Sequence, residues 1–69
     1  MFVGHITKLC HDKKHGLIRA NDGEEIHFHQ QCLWDIHFDE LTDGQEVEFE
    51  IQSSRKGFLG FHIRPHFKN

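Results

Sequence analysis

The chain has 69 residues, a formal net charge of −3, eight histidines and two cysteines. Its length predicts one small domain over residues 1–69, with a thin core and a short polar tail from about residue 65. No apolar run reaches the roughly 18 residues of a membrane-spanning helix, and no signal-peptide pattern opens the chain, so we expect a cytoplasmic protein without a membrane partner. Cys10 and Cys32 lack the spacing of a metal motif, and we interpret both as reduced thiols.

Short strands separated by turn residues are predicted in the first half of the chain. A loosely alternating run at residues 2–9 predicts the first strand, and residues 15–19 predict the second. The cluster Asn21-Asp22-Gly23 is typical of a turn, and residues 24–29 predict a third strand that pairs with the second. Residues 30–45 follow no strand pattern, so we interpret them as a long, partly structured loop.

Two further strands are predicted in the second half. Residues 46–51 alternate acidic and apolar side chains, which is typical of a strand with one buried face. Residues 58–63 predict a last strand, which Pro65 ends. Five short strands without a long helix predict an all-β fold, a five-stranded antiparallel barrel of the OB type, because closing the sheet removes exposed edges.

The predicted hairpin of the second and third strands has an unusual surface. Strand alternation places Ile18, Ile26 and Phe28 on the core side. The same alternation places four residues on the opposite side: His15, Leu17, His27 and His29. Because histidine titrates at about pH 6.5, we expect the attraction of this side for a charged partner to depend on pH.

Four motifs are spread from Gly4 to Ile63. They are Gly4-x-Ile6, Lys-Lys-His-Gly-Leu-Ile at residues 13–18, Ile-His-Phe-His-Gln at residues 26–30, and Leu41-x-x-Gly44-Gln45-x-Val47-x-Phe49. They resemble the motifs of the bacterial cold-shock proteins, single-domain OB-fold proteins that bind single-stranded RNA and DNA. The first three stand where that family has Gly-x-Val, Lys-Gly-Phe-Gly-Phe-Ile and Val-Phe-Val-His-Phe, and the fourth is nearly identical. Gly57 and Ile63 fit the closing Gly-Pro-x-Ala-x-x-Val of the family.

The resemblance implies single-stranded RNA or DNA as the partner of a monomer or weak dimer, with an RNA-chaperone or gene-regulatory role. The family stacks bases on an aromatic platform, and here most of that platform is replaced by other residue types. The replaced positions are Lys8, Leu9, His15, Leu17, His27 and Gln30, whereas His29 and Phe38 keep the family's residue. The implied binding is therefore weak. In it His15, His27, His29 and Phe38 stack on bases, with Trp34 beside them, while Lys8, Lys13 and Lys56 neutralise phosphates.

Two other functions are open from the residues alone. Trp34, Ile36 and Phe38 could anchor a protein partner, or this loop could fold back over the end of the barrel. His15, His27 and His29 could also bind a metal through neighbouring imidazoles, although no further ligand is obviously placed beside them. No catalytic Ser-His-Asp or Cys-His arrangement and no phosphate-binding glycine loop can be assembled, so neither an enzyme nor a cofactor is predicted.

Overall fold

Within Met1 to His66, the residues that the structure describes, a computed structural model shows five strands and two short 3-10 helices. The strands are β1 (Phe2–Cys10), β2 (His15–Ala20), β3 (Glu25–His29), β4 (Glu46–Ser54) and β5 (Gly57–Pro65). The 3-10 helices, Gln30–Cys32 and Phe38–Glu40, lie in the long connection between β3 and β4. In this part of the chain, no helix is long and apolar enough to cross a membrane. Most of the predicted polar tail, residues 67–69, lies outside the described residues.

The strands close into a barrel in the order β1–β2–β3–β5–β4, which confirms the predicted OB-type fold. Four junctions are antiparallel. The junction between β3 and β5 is parallel, with Ile26 opposite Phe58 and His27 opposite Leu59. The expectation of a purely antiparallel barrel is wrong in this respect. A closed ring with an odd number of strands cannot alternate direction at every junction, so at least one parallel pair is required.

The core lies inside the barrel and receives side chains from every strand. Its buried members are Ile6, Ile18, Ala20, Ile26, Phe28, Phe38, Leu41, Val47, Phe49 and Ile63. The alternation predicted for the β2–β3 hairpin is confirmed, because Ile18, Ile26 and Phe28 are buried while the histidines on the other side are exposed. Each large apolar side chain buried in this way contributes about 1.5–3 kcal/mol. The core therefore determines which residues of the hairpin face outward.

Gly16 allows a close approach between β1, β2 and the core. A Cβ atom added at this position would lie 2.5 Å from the carbonyl oxygen of Lys8. The same atom would lie 2.9 Å from two ring carbons of Phe28. Both distances are shorter than a van der Waals contact, so any larger residue would push β2 away from its neighbours.

The connection between β3 and β4 folds against the core. Phe38 and Leu41 are buried, and Ile36 is partly buried against the same cluster. The backbone N–H of His37 donates to Oε1 of Glu40 at 2.9 Å, which holds the short helix that carries Phe38. For Ile36 and Phe38, the connection therefore folds back over the barrel, as one of the two interpretations of this loop predicts.

Candidate nucleic-acid interface

The outward-facing side chains of β1, β2 and β3 form rows across the sheet. In one row Lys8 is opposite Leu17, and Leu17 is opposite His27. In the next row His15 is opposite Cys10 on β1 and His29 on β3. We call the residues of these two rows the outer face: Lys8, Cys10, His15, Leu17, His27 and His29. A groove of about 170 Å³ runs over its centre and is lined by all of these residues except His29.

An irregularity in β1 brings Lys8 onto the outer face. Ile6 pairs with Ile18, but the next pair is Lys8 with Leu17, so β1 has one extra residue at this point. Strict alternation after the buried Ile6 would turn Lys8 toward the core. The bulge leaves both Thr7 and Lys8 exposed and turns Leu9 toward the core instead. The position of Lys8 therefore depends on the bulge.

His29 has a defined orientation at the end of β3. Its Nδ1 atom accepts a hydrogen bond from the backbone N–H of Gln31 at 3.3 Å. In the neutral ring the proton therefore lies on Nε2, where it can be donated to a ligand. The neighbouring Gln30 is exposed, and its backbone N–H donates to the carbonyl oxygen of Lys14 at 2.9 Å. This bond holds Gln30 beside the start of β2.

Lys13 and Lys14 lie in the turn between β1 and β2 and have different partners. Nζ of Lys14 lies 2.8 Å from Oδ1 of Asp39. The pKa of Asp39 lies below its ordinary value of 3.8, mainly because of this hydrogen bond and secondly because of the positive charge of Lys14. Lys13, in contrast, forms no ion pair within residues 1–66, and the same is true of Lys8 and Lys56. These three ammonium groups are therefore available to phosphates.

Lys14 has a backbone conformation that is unusual for a residue with a side chain. Its φ is 56°, in the left-handed region that favours glycine, and the cold-shock proteins have glycine at this position. A side chain in this conformation costs about 1–2 kcal/mol. The turn before β2 thus takes a conformation that glycine would adopt without this cost.

Phe38 is not part of the outer face. Its side chain is 4% exposed, and its ring lies 6.3 Å from that of Phe28. The ring of His11 packs against the Phe38 ring in an edge-on arrangement, with the centroids 5.5 Å apart. Nζ of Lys14 lies 5.6 Å from the centroid of the Phe38 ring. Packing in the core thus removes the ring of Phe38 from solvent, and this arrangement does not support the prediction that it stacks on a base.

Trp34 is exposed but lies on another side of the barrel. Its side chain is 49% exposed, and its backbone N–H donates to the carbonyl oxygen of Ile63 at 2.7 Å. The indole ring lies 5.0 Å from the ring of His62 and 5.5 Å from the guanidinium of Arg64. The bond to Ile63 holds the residue against the far half of β5, and this position does not support the prediction that Trp34 stacks bases beside the hairpin histidines.

The structure adds residues of β5 that the sequence patterns did not indicate. A second groove, of about 260 Å³, is lined by His27, Ser54, Lys56, Phe58 and Leu59, and we call it the β5 groove. Because Leu59 is opposite His27, the row from Lys8 to His27 continues onto β5. Phe58 and Leu59 are both exposed. One feature of the sequence could have drawn attention to this strand: Phe58 stands where the cold-shock proteins have proline.

The histidines of the outer face do not converge on one point in the described part of the chain. Within residues 1–66, no group of three or more His, Cys, Asp or Glu side chains is arranged so that it could hold a metal ion. The described geometry therefore gives no support to the hypothesis that His15, His27 and His29 bind a metal. His15 and His29 face each other in one row, whereas His27 belongs to the other. Cys10 and Cys32 are free thiols.

Comparison with known proteins agrees with this geometry. Residues 2–64 match the family described as the 'Cold-shock' DNA-binding domain. The chain is 35% identical over 61 residues to a cold shock-like protein of Thermotoga maritima, which covers 88% of this chain and 92% of that protein. It is 36% identical over 55 residues to the cold shock-like protein CspC of Buchnera aphidicola, with 78% and 80% covered. It is 32% identical over 54 residues to cold shock protein 1 of Lactiplantibacillus plantarum, with 78% and 82% covered.

Proposed function

The chain belongs to the cold-shock domain family, whose members bind nucleic acid and are not enzymes, and on this premise we propose that it binds single-stranded RNA or DNA on the outer face. In this proposal the bases lie across β1, β2 and β3, against the imidazoles and Leu17, while lysines contact the phosphates. The proposed contact residues are Lys8, Lys13, His15, Leu17, His27, His29, Gln30 and Lys56.

One observation carries the proposal, namely the row that Lys8, Leu17 and His27 form across three strands. It combines an ammonium group, an apolar side chain and a flat ring within a single groove. A nucleotide offers the matching chemistry, a phosphate and an apolar base that carries hydrogen-bonding edges. The row is held rigidly because the other side of each strand is buried in the core.

We propose that this binding is weak and depends on pH. Stacking of a base on an aromatic side chain contributes about 1–3 kcal/mol, and imidazole or aliphatic groups replace most of the family's rings here. Protonation of histidines on the outer face adds positive charge next to the phosphates. Affinity should therefore rise as the pH falls toward about 6 and decrease as salt is added.

The test is an amide chemical-shift titration of the protein with oligo(dT) and oligo(U) at about pH 6 and about pH 7.5, on either side of the histidine pKa. We expect saturable shifts concentrated in β1, β2 and β3, with the tighter binding at the lower pH. A double-stranded oligonucleotide of the same length is the control and should bind less tightly. Absence of saturation at tens of micromolar protein, at both pH values, would overturn the proposal.

A finer role is part of the same proposal and is supported by family membership. We propose a single cytoplasmic domain that acts as a monomer or weak dimer and keeps RNA unfolded or influences gene expression. Melting of a labelled RNA hairpin at increasing protein concentration tests the chaperone role. A hairpin that stays closed at saturating protein would show that binding does not extend to unfolding.

A protein-interaction role has less support from the structure. The three residues expected to anchor a partner, Trp34, Ile36 and Phe38, do not share an exposed patch. Phe38 is buried, Ile36 packs against the core, and Trp34 contacts β5. No second function is proposed for this surface.

A further inference from the structure

Within residues 1–66, three phenylalanine or tryptophan side chains are classed as exposed, and their ring contacts differ. Phe2 stacks on Phe49, with ring centroids 6.3 Å apart. Trp34 contacts His62 and Arg64. Phe58 is 36% exposed and has no aromatic or cationic partner for its ring among the described residues. Of the three, it is the least exposed but the one on which a ligand could stack without competing with another ring or cation.

Phe58 lies in the β5 groove, which is continuous with the outer face. His27 lines both this groove and the groove at the centre of the outer face. Leu59, next to Phe58 in the chain, is directly opposite His27. Adjacent strands are about 4.8 Å apart, so a nucleotide strand that covers His27 needs to advance by one base to meet β5.

The β5 groove also carries a positive charge. Lys56, in the turn between β4 and β5, lines the groove together with Phe58. The hydroxyl of Ser54 accepts a hydrogen bond from the backbone N–H of Lys56 and donates to the carbonyl oxygen of Gly57. These bonds set the shape of the turn whose Lys56 lines the groove. An ammonium group next to an unpaired phenyl ring fits a phosphate next to a base.

We propose that Phe58 and Lys56 form an additional nucleotide-binding site on β5, in which Phe58 stacks on a base and Lys56 contacts a phosphate. The inference rests on the proposed function, because this nucleotide belongs to the same single strand that lies on the outer face. The site places a phenyl ring at the edge of a face whose central rings have been exchanged for histidine and leucine.

The test compares oligo(dT) affinities of full-length variants by fluorescence anisotropy. Phe58→Ala should weaken binding roughly 5- to 150-fold, the range expected for loss of one stacked base. Phe58→Leu should weaken binding to a similar extent because it keeps an apolar side chain but removes the ring. Phe2→Ala, which removes an exposed phenyl ring elsewhere, is the matched control and should bind like the wild type.

A second measurement reports on the site directly. In a Trp34→Phe background, Phe58→Trp introduces the single tryptophan of the chain into the β5 groove. Oligo(dT) should quench its fluorescence in a saturable manner, and the midpoint of quenching should agree with the midpoint of binding measured by anisotropy. Urea denaturation of each variant shows whether it is folded. If Phe58→Ala is too unstable to study, Phe58→Leu and the tryptophan variant test the proposed site instead.

The outcomes separate this inference from the proposed function. If the wild type does not bind single strands, both fail together. If the wild type binds and His27→Ala weakens binding, but the Phe58 variants bind like Phe2→Ala, the outer face is correct and the β5 site is wrong. Unchanged fluorescence of the tryptophan variant at saturating oligonucleotide would overturn the β5 site as well.

Discussion

Lys14 and Asp39 form an ion pair that joins the turn before β2 to the loop between β3 and β4, with Nζ 2.8 Å from Oδ1. The same ammonium group lies 5.6 Å from the ring centroid of Phe38. Lys14 therefore faces the loop and its carboxylate, whereas its neighbour Lys13 has no ion-pair partner in the described part of the chain. This pair removes one positive charge from the set that could contact phosphates.

Replacing the carboxylate should return that charge to the ligand. In Asp39→Asn the amide oxygen can still accept from Lys14, but the negative charge is gone. We expect oligo(dT) to bind more tightly. We also expect the slope of log affinity against log salt concentration to be steeper by about 0.7, the value for one added phosphate contact on a single strand. Asp43→Asn, which removes a charge from the turn before β4, is the control. Equal salt slopes for the two variants would contradict this role of Lys14.

His27→Phe should strengthen nucleic-acid binding and reduce its dependence on pH. The substitution restores the phenyl ring that the cold-shock proteins have at this position, and it removes an imidazole that gains charge as the pH falls. We expect several-fold higher affinity at about pH 7.5, with a smaller gain between that pH and about pH 6. His5→Phe adds a ring on β1 outside the two rows and should leave both quantities unchanged. The hypothesis fails if His27→Phe binds less tightly than the wild type at the higher pH.

Acid should destabilise the fold partly through Glu48. Hydrogen bonds from His66 and from Arg64 hold the pKa of this carboxyl below its ordinary value of 4.5. Because its pKa is lower in the folded than in the unfolded state, ionised Glu48 makes its full contribution to the stability of the fold above the unfolded pKa. This contribution is lost as the pH falls through the folded pKa. Glu48→Gln should therefore lower the urea midpoint at neutral pH, and this difference should shrink under strongly acidic conditions.

Glu24→Gln, in the exposed turn between β2 and β3, is the matched control for that comparison. Its difference from the wild type should be small at every pH. A constant difference between Glu48→Gln and the wild type across the acidic range would show that loss of packing, and not of charge, explains the effect.

Gly16→Ala should destabilise the barrel by about 1–3 kcal/mol, the range for overpacking a close contact. The new methyl group would meet the carbonyl oxygen of Lys8, which belongs to the β1 backbone and cannot move without disturbing the pairing of β1 with β2. Gly60→Ala is the matched control because its nearest neighbour is a side-chain methyl of Ile26 at 3.1 Å. The cold-shock proteins have alanine at that position. Urea denaturation of both variants measures the difference, and equal midpoints would contradict the steric argument.

Much of the fold follows from patterns that are local in the sequence. The period of two in β2, β3 and β4 is enough to determine which side chains are buried, because each strand has one side in the core. The direction of β5 relative to β3, in contrast, does not follow from a local pattern. No residue in either strand indicates it. Closing an odd number of strands requires at least one parallel junction, and the order of the strands places that junction between β3 and β5.

The site was predictable where it lies on strands and not where it depends on the long loop or on irregularities. The outward positions of His15, His27 and His29 follow from alternation. Residues 30–45 have no periodicity, so the sequence does not indicate where the rings of Phe38 and Trp34 lie. The space available in the core and one backbone bond to Ile63 decide their positions. Phe58 was missed because the start of β5 places two successive apolar residues on the surface.

The parallel junction of β3 with β5 also has a kinetic consequence. It joins Ile26 to Phe58 and His27 to Leu59, residues far apart in the chain, so the entropy of loop closure makes it slow to form. A single strand that contacts both His27 and Phe58 would bridge this junction and bind the closed barrel in preference to an opened one. Bound nucleic acid should then slow the hydrogen exchange of amides along the junction, coupling the closure of the barrel to the presence of its ligand.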